Sequence, residues 1–246
     1  MVDKKTALIF GATGGIGKAI VHELYDRDYN LGLSSTSIDL KSSNKLFAKK
    51  VDIRKPAEVE TFVSEVHNKF KTIDVLINSA GIMNVNLVKD LNINDLKSVF
   101  SVNVYGLFNT VKAVLPIMIS QKQGHIIIIG SLRGFKSSKT KAAYCMSKAA
   151  VSMFSKILRK EVKDYNIKVT LINPGFTDTM LYKKNSKRPF LLKSDNIFEE
   201  IPVTLPIDIA KSVSFILSLS EGALVEEFNI GEVFGGRKDI CLREKK

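Results

Sequence analysis

Three side chains in the middle of the chain are of types that move protons. Ser131 follows the apolar run Ile126–Ile129 and Gly130, Tyr144 comes thirteen residues after it, and Lys148 stands four beyond the tyrosine. At that spacing Tyr144 and Lys148 share one face of a helix. A cation beside a phenol favours the phenolate and draws its pKa down from about 10. A tyrosine so placed can exchange a proton with a carbonyl or alcohol oxygen, a contribution on the order of 10²–10⁴-fold. The serine hydroxyl can hold the same oxygen, as an oxyanion donor does. A Tyr/Lys pair alone is an ordinary feature of a helix surface. Ser131, at the carboxyl end of a buried strand where open α/β sheets place their ligands, makes it a candidate for catalysis.

A second constellation lies near the amino terminus. The strand-like run Thr6–Phe10 leads directly into Gly11-Ala12-Thr13-Gly14-Gly15-Ile16-Gly17 and then into a helical pattern. A tight strand-to-helix turn favours glycine at Gly11. Gly15 lets backbone amides approach a pyrophosphate at the helix N-terminus, and Gly17 lets the helix pack closely on the sheet. The spacing is G-x-x-x-G-x-G rather than the G-x-G-x-x-G of the common dinucleotide fingerprint, but the turn sits where a dinucleotide-binding β-α-β unit needs it. After the second strand the chain reads Ser34-Ser35-Thr36-Ser37-Ile38-Asp39, with Lys41 close by. Neutral hydroxyls where an acid would grip the adenosine ribose leave room for a 2′-phosphate, so NADP(H) is expected over NAD(H). Asp39 stands beyond the position that an NAD-selecting acid would occupy.

The elements that must carry these residues alternate between short apolar runs and longer helical ones. Strands are expected at Thr6–Phe10, Leu31–Leu33, Lys50–Ile53, Val75–Ile77, Ile126–Ile129, Val169–Ile172 and Phe228–Ile230. Helices are expected over Gly17–Asp28, from Pro56 onward, over Asn94–Met118, over Lys141–Tyr165 and after Pro206. Such alternation gives an α/β fold: a doubly wound, mostly parallel seven-stranded sheet with helices on both faces. No repeat or linker divides residues 1–246, so one domain is expected, with a loop at about 178–202 covering the substrate.

Composition narrows the function classes. Apolar residues make up 45% and charged residues 25% of 246, ordinary globular usage that excludes disordered and fibrous classes. The longest aliphatic run is far short of a membrane span, and the N-terminal residues lack a signal-peptide core, so a cytoplasmic protein is expected, without a membrane partner. Two cysteines, Cys145 and Cys241, and three scattered histidines show no ligand spacing, and no metal is expected. The net charge of +12 comes without a recognition module for nucleic acid, so none is expected as a partner.

Taken together, the sequence resembles the short-chain dehydrogenase/reductase family from Thr6 to about Ile230. The resemblance rests on the glycine turn, Asp52, Asn78-Ser79-Ala80-Gly81, Asn103, Ser131, the Tyr144/Lys148 pair, and Pro174-Gly175. It implies a Rossmann-type domain and an NAD(P)-dependent oxidoreductase acting on a carbonyl/alcohol pair. Asn103, Ser131, Tyr144 and Lys148 would then form a catalytic tetrad, with Tyr144 as general acid or base and Asn103 anchoring a water in the proton relay. Lys148 would also hold the nicotinamide ribose, beside Tyr144. For the rest of the cofactor the resemblance implies Gly11, Thr13, Gly15, Ile16, Gly17 and Thr36 around the phosphates, and Asp52 and Ile53 at the adenine. Asn78, Ala80, Gly81, Pro174 and Gly175 would line the cleft, and Thr179 would meet the carboxamide. Relative to the family pattern, Ser79 replaces an asparagine, Gly14 stands where NADP-preferring members often carry a basic residue, and Glu226–Gly236 lacks the ending of the ketoacyl reductases. The long helices would form a homodimer or homotetramer.

A regulator that binds a dinucleotide without turning anything over is the alternative on the same fold, and the Asn/Ser/Tyr/Lys set argues against it. No motif names the substrate. Lys183, Lys184, Lys187, Arg188 and Lys193, without an acid among them, lie in the expected covering loop and suggest an anionic one.

Overall fold

The computed structural model describes residues 4–39, 41–181 and 203–231. Within them lie β1 (Thr6–Phe10), α1 (Gly15–Asp26), β2 (Asn30–Ser35), β3 (Leu46–Lys50), α2 (Pro56–Phe70) and β4 (Val75–Asn78). The chain continues through α3 (Ile93–Phe100), α4 (Leu107–Gln121), β5 (Gly124–Ile129), α5 (Ala142–Val162), β6 (Ile167–Pro174), α6 (Pro206–Ser218) and β7 (Glu227–Ile230). The seven strands form one sheet in the order β3-β2-β1-β4-β5-β6-β7, and every adjacent pair is parallel.

Alternation along the strands divides the core in two. Leu8, Phe10, Leu76, Ile126, Ile128 and Leu171 face α2, α4 and α5, where Phe62, Val66, Val111, Val114, Val151 and Leu158 meet them. Ala7, Ile9, Ile77, Ile127, Ile129 and Ile172 face the other side and pack on Ile20 and Leu24 of α1 and Ile209, Val213 and Ile216 of α6. Strands buried on both faces read as unbroken apolar runs, which is why β1 and β5 were visible in the sequence. The order of strands reverses between β1 and β4, and the crevice at their carboxyl ends is where such sheets bind ligands.

Two expectations change. The third strand lies at Leu46–Lys50, not Lys50–Ile53. Leu46, Phe47 and Ala48 pair with Leu31, Gly32 and Leu33 at the sheet edge, while Val51 and Ile53 leave the ladder and pack into the core beneath α2 and α4. The helix expected over Asn94–Met118 is interrupted: Ser101–Gly106 forms a π turn between α3 and α4. That composite run, Ile93–Gln121, is long and apolar enough to cross a membrane, but Val99, Leu107, Val111, Val114 and Met118 are buried within the protein. Most of the expected covering loop, with its five basic residues, lies outside the described residues.

Candidate active site

The site is built on the carboxyl ends of β1, β2, β4 and β5. Gly11 leaves β1 at φ +83, a left-handed conformation, and a side chain there would begin 2.5 Å from the Ala80 backbone nitrogen. Gly17 sits against the Gly11 carbonyl so closely that any Cβ would collide with it. Helix α1 then opens behind Gly14 with no side-chain cap and no acid in its first turn. Its amides and positive dipole end therefore suit an anion, and the turn fits the pyrophosphate of a dinucleotide. Thr179 reaches over this turn, with its Cγ2 3.0 Å from where a Gly15 side chain would begin. Ile16 is half-buried on the same helix, packed on the core.

At the end of β2 three hydroxyls converge. Thr13 Oγ1 lies 2.6 Å from Ser35 Oγ and 3.2 Å from Ser37 Oγ, and the two serines are 3.4 Å apart. Thr36 is exposed and takes no part in the triangle. Asp52 accepts from Arg54 Nε and Nη2, and the guanidinium holds its carboxyl below the usual range. Ile53 is buried against Gly106, and its carbonyl accepts from Asn109. Asn78 Oδ1 accepts from Thr110 at 2.6 Å, while its buried Nδ2 has no hydrogen-bond partner. Ala80 lies against Gly11, and Gly81 faces Asn103 Oδ1 and Lys148 Nζ across the cleft. Pro174 ends β6, and the Gly175 amide donates to the Ile230 carbonyl.

Ser131, Tyr144, Lys148 and Asn103 are all buried. Lys148 Nζ sits 5.8 Å from the Tyr144 ring centroid and donates to the Ile129 carbonyl at 2.8 Å. Burial lowers its pKa to about 8. For Tyr144 the balance differs from the sequence expectation. Burial pushes the phenol up, and the hydrogen bond from Ser131 and the charge of Arg133 only partly offset it. The physical reason is that Lys148 directs its ammonium to a backbone carbonyl and sits in the same desolvated space, where the neutral phenol is favoured. In the protein alone the tyrosine is therefore a proton donor.

Asn103 lies in the π turn, a distortion that recurs at functional sites. Its Oδ1 accepts from the Ile82 amide at 2.8 Å, and its Nδ2 donates to the Ile82 carbonyl and to Ser147 Oγ, each at 2.9 Å. Ser147 in turn donates to the Tyr144 carbonyl at 2.8 Å. Both polar atoms of the asparagine side chain thus bond to protein groups. Ser147 and Arg133 escaped the sequence reading. Ser147 could have been found as a small polar residue three positions from Tyr144 on the same helix face. Arg133 had a weaker signal, a charge two residues beyond Ser131.

Comparison with known proteins shows the family. The short chain dehydrogenase family profile matches residues 5–189. Carbonyl reductase family member 4 of Xenopus laevis is 33% identical over 87% of this chain and 91% of its own. An NADP-dependent 3-hydroxy acid dehydrogenase of Schizosaccharomyces pombe is 30% identical over 92% of both chains. The solved structure of ElxO with NADP bound superposes with a TM-score of 0.81 at 26% identity, over 92% of this chain and 97% of that one. With likeness of this extent in both sequence and backbone, the chain belongs to the short-chain dehydrogenase family and is an NAD(P)-dependent oxidoreductase.

Proposed function

We propose that the protein is an NADPH-favouring reductase or dehydrogenase of a carbonyl/alcohol pair, with Tyr144 as its proton-transferring group. The observation that carries this reading is the convergence of Ser131, Tyr144 and Lys148 beside the glycine turn, at the carboxyl edge of the sheet. When bound, the nicotinamide dinucleotide supplies the hydride chemistry. Protons are the business of this chain. In reduction, Ser131 donates to the substrate oxygen and fixes it against Tyr144, whose neutral phenol gives up its proton as negative charge develops on that oxygen. Lys148 stabilises the resulting phenolate across the ring, and in oxidation the phenolate takes the proton back. Asn103 holds the Ile82 backbone and the first turn of α5 in register through Ser147, so Tyr144 keeps its position through the cycle.

The preference for NADPH rests on the Thr13, Ser35 and Ser37 hydroxyls, which offer donors to a 2′-phosphate at the place where an acid would repel it. Thr36 is assigned no contact in this reading. Tyr105, Phe108, Met153 and Ile157, exposed on the π turn, α4 and α5, support a homo-oligomer in which a second copy covers them. Turnover of a ketone panel with NADPH by Tyr144→Phe tests the mechanism. Near-complete loss of kcat is expected, with NADPH affinity within a few-fold of the parent; substantial residual turnover refutes it.

A further inference from the structure

Two residues beyond Ser131, Arg133 occupies the short turn Leu132–Gly134, and that turn is fixed to the catalytic elements. The Arg133 amide donates to Ser131 Oγ at 3.1 Å, and the Gly134 amide donates to the Ser131 carbonyl at 2.9 Å. On its other side the turn packs on α5, where a side chain at Gly134 would begin 2.9 Å from the Lys148 carbonyl. The arginine backbone therefore has a set position relative to Ser131 and Lys148.

Its guanidinium is only partly committed. Nη1 donates to the Ser137 carbonyl at 3.0 Å, and among the described residues no acid forms an ion pair with it. An arginine has five N–H donors, so several remain. The side chain is half-buried, and from Arg133 to Lys141 the chain carries further lysines and no acid. The charge reaches the reacting group, since it favours the Tyr144 phenolate. Met83 and Val85 are buried against Tyr144 and give the site an apolar side.

We propose that Arg133 is the anchor for a substrate carboxylate, so that the enzyme acts on short oxo acids and their hydroxy acids. This rests on the carbonyl/alcohol reading above and extends it to a substrate class. The cofactor's phosphates do not account for the arginine: they belong to the glycine turn after β1, and Ser131 follows β5, two strands away at about 4.8 Å per strand. Among the described residues the half-buried cation has no acidic partner, and a substrate carboxylate would supply one. A carboxylate offers two oxygens in the plane of the guanidinium fork, the geometry in which arginine binds most strongly. One planar cation suits a planar monoanion. The carbonyl then sits on Ser131 and Tyr144, the carbon chain on Met83 and Val85, and the carboxylate on Arg133.

The test compares acids with their neutral esters: acetoacetate with methyl acetoacetate, and levulinate with methyl levulinate, each on the NADPH-loaded protein. Both kcat/KM and binding, by change in bound-NADPH fluorescence, are measured. The parent should favour the acid of at least one pair by about ten- to a hundredfold, the value of a charge-assisted hydrogen bond. In Arg133→Gln that acid-to-ester ratio should fall to about one, and Arg133→Lys should restore part of it. A ratio near one in the parent, in both binding and turnover, overturns the proposal. So does an Arg133→Gln variant that weakens acid and ester equally, which marks a structural role. The catalytic reading fails separately, through ester turnover that survives Tyr144→Phe, and that outcome leaves the acid-to-ester binding ratio to decide the role of Arg133.

Discussion

Ser147→Ala removes one oxygen and two buried hydrogen bonds, and the structure allows the loss to be sized. Ser147 is fully buried, accepts from Asn103 Nδ2 at 2.9 Å and donates to the Tyr144 carbonyl at 2.8 Å. The carbonyl retains its place in the helix ladder, so its loss is small. The amide is different: one N–H of Asn103 is left in a dry site with no acceptor, at a cost of about 1–3 kcal/mol. For a chain of this size each kcal/mol lowers Tm by about 2–4 °C. Asn103 keeps both bonds to Ile82, so the side chain should stay in place while its grip on α5 loosens. The kinetic effect is therefore expected in kcat, at about threefold to tenfold, with little change in cofactor affinity. Urea unfolding of Ser147→Ala, Asn103→Ala and the double variant supplies the assay. Because both single changes break the same bond, the double should cost less than their sum by about 1 kcal/mol. Additive costs, or a Ser147→Ala variant within about 0.5 kcal/mol of the parent, refute the claim that this serine ties Asn103 to Tyr144.

NADPH should bind more tightly than NADH, and Ser37→Asp should reverse that order by placing an acid in the hydroxyl triangle, whereas Thr36→Asp, outside the triangle, should change the ratio less; nicotinamide fluorescence titrations decide, and equal effects would return Thr36 to the site. Thr170 Oγ1 donates to the Val225 carbonyl, so the 2.8 Å contact with His125 is donated by Nε2–H of a neutral ring whose pKa burial, with the Lys168 charge, lowers to about 4. The unfolded chain binds that proton first, so this contribution to stability is complete above about pH 6.5 and is lost as pH falls towards about 4, on the order of 3 kcal/mol in all. Urea unfolding across that window should show a flatter pH dependence for His125→Gln, and parallel curves would refute it.

What was legible in the sequence, and what was not, divides by the distance over which the causes act. The glycine turn, the i, i+4 pair Tyr144/Lys148 and the all-apolar β5 are set by neighbours within a turn or a strand, and their residue types announce them. The third strand was misplaced because the edge position exposes one side of it. Leu46–Lys50 includes two lysines and only half-buried apolar residues, while Val51 and Ile53 look more strand-like yet serve the core as part of a turn. The π turn at Ser101–Gly106 adds no residue type that breaks helical periodicity, so one continuous helix was the natural reading. It is stabilised from outside the helix: Asn103 is held by Ile82, twenty-one residues before it, and by Ser147, forty-four after it. The ionisation of Tyr144 was misjudged for a related reason. A nearby lysine is visible in sequence, but the burial that raises the phenol's pKa, beside Met83 and Val85, is assembled only by the fold. Types and spacing thus identify the groups that can react, whereas protonation state, positioning and substrate selection depend on contacts between segments that the sequence keeps apart. Ser147, close in sequence to residues already singled out, acquires its meaning only from Asn103, which the fold brings to it.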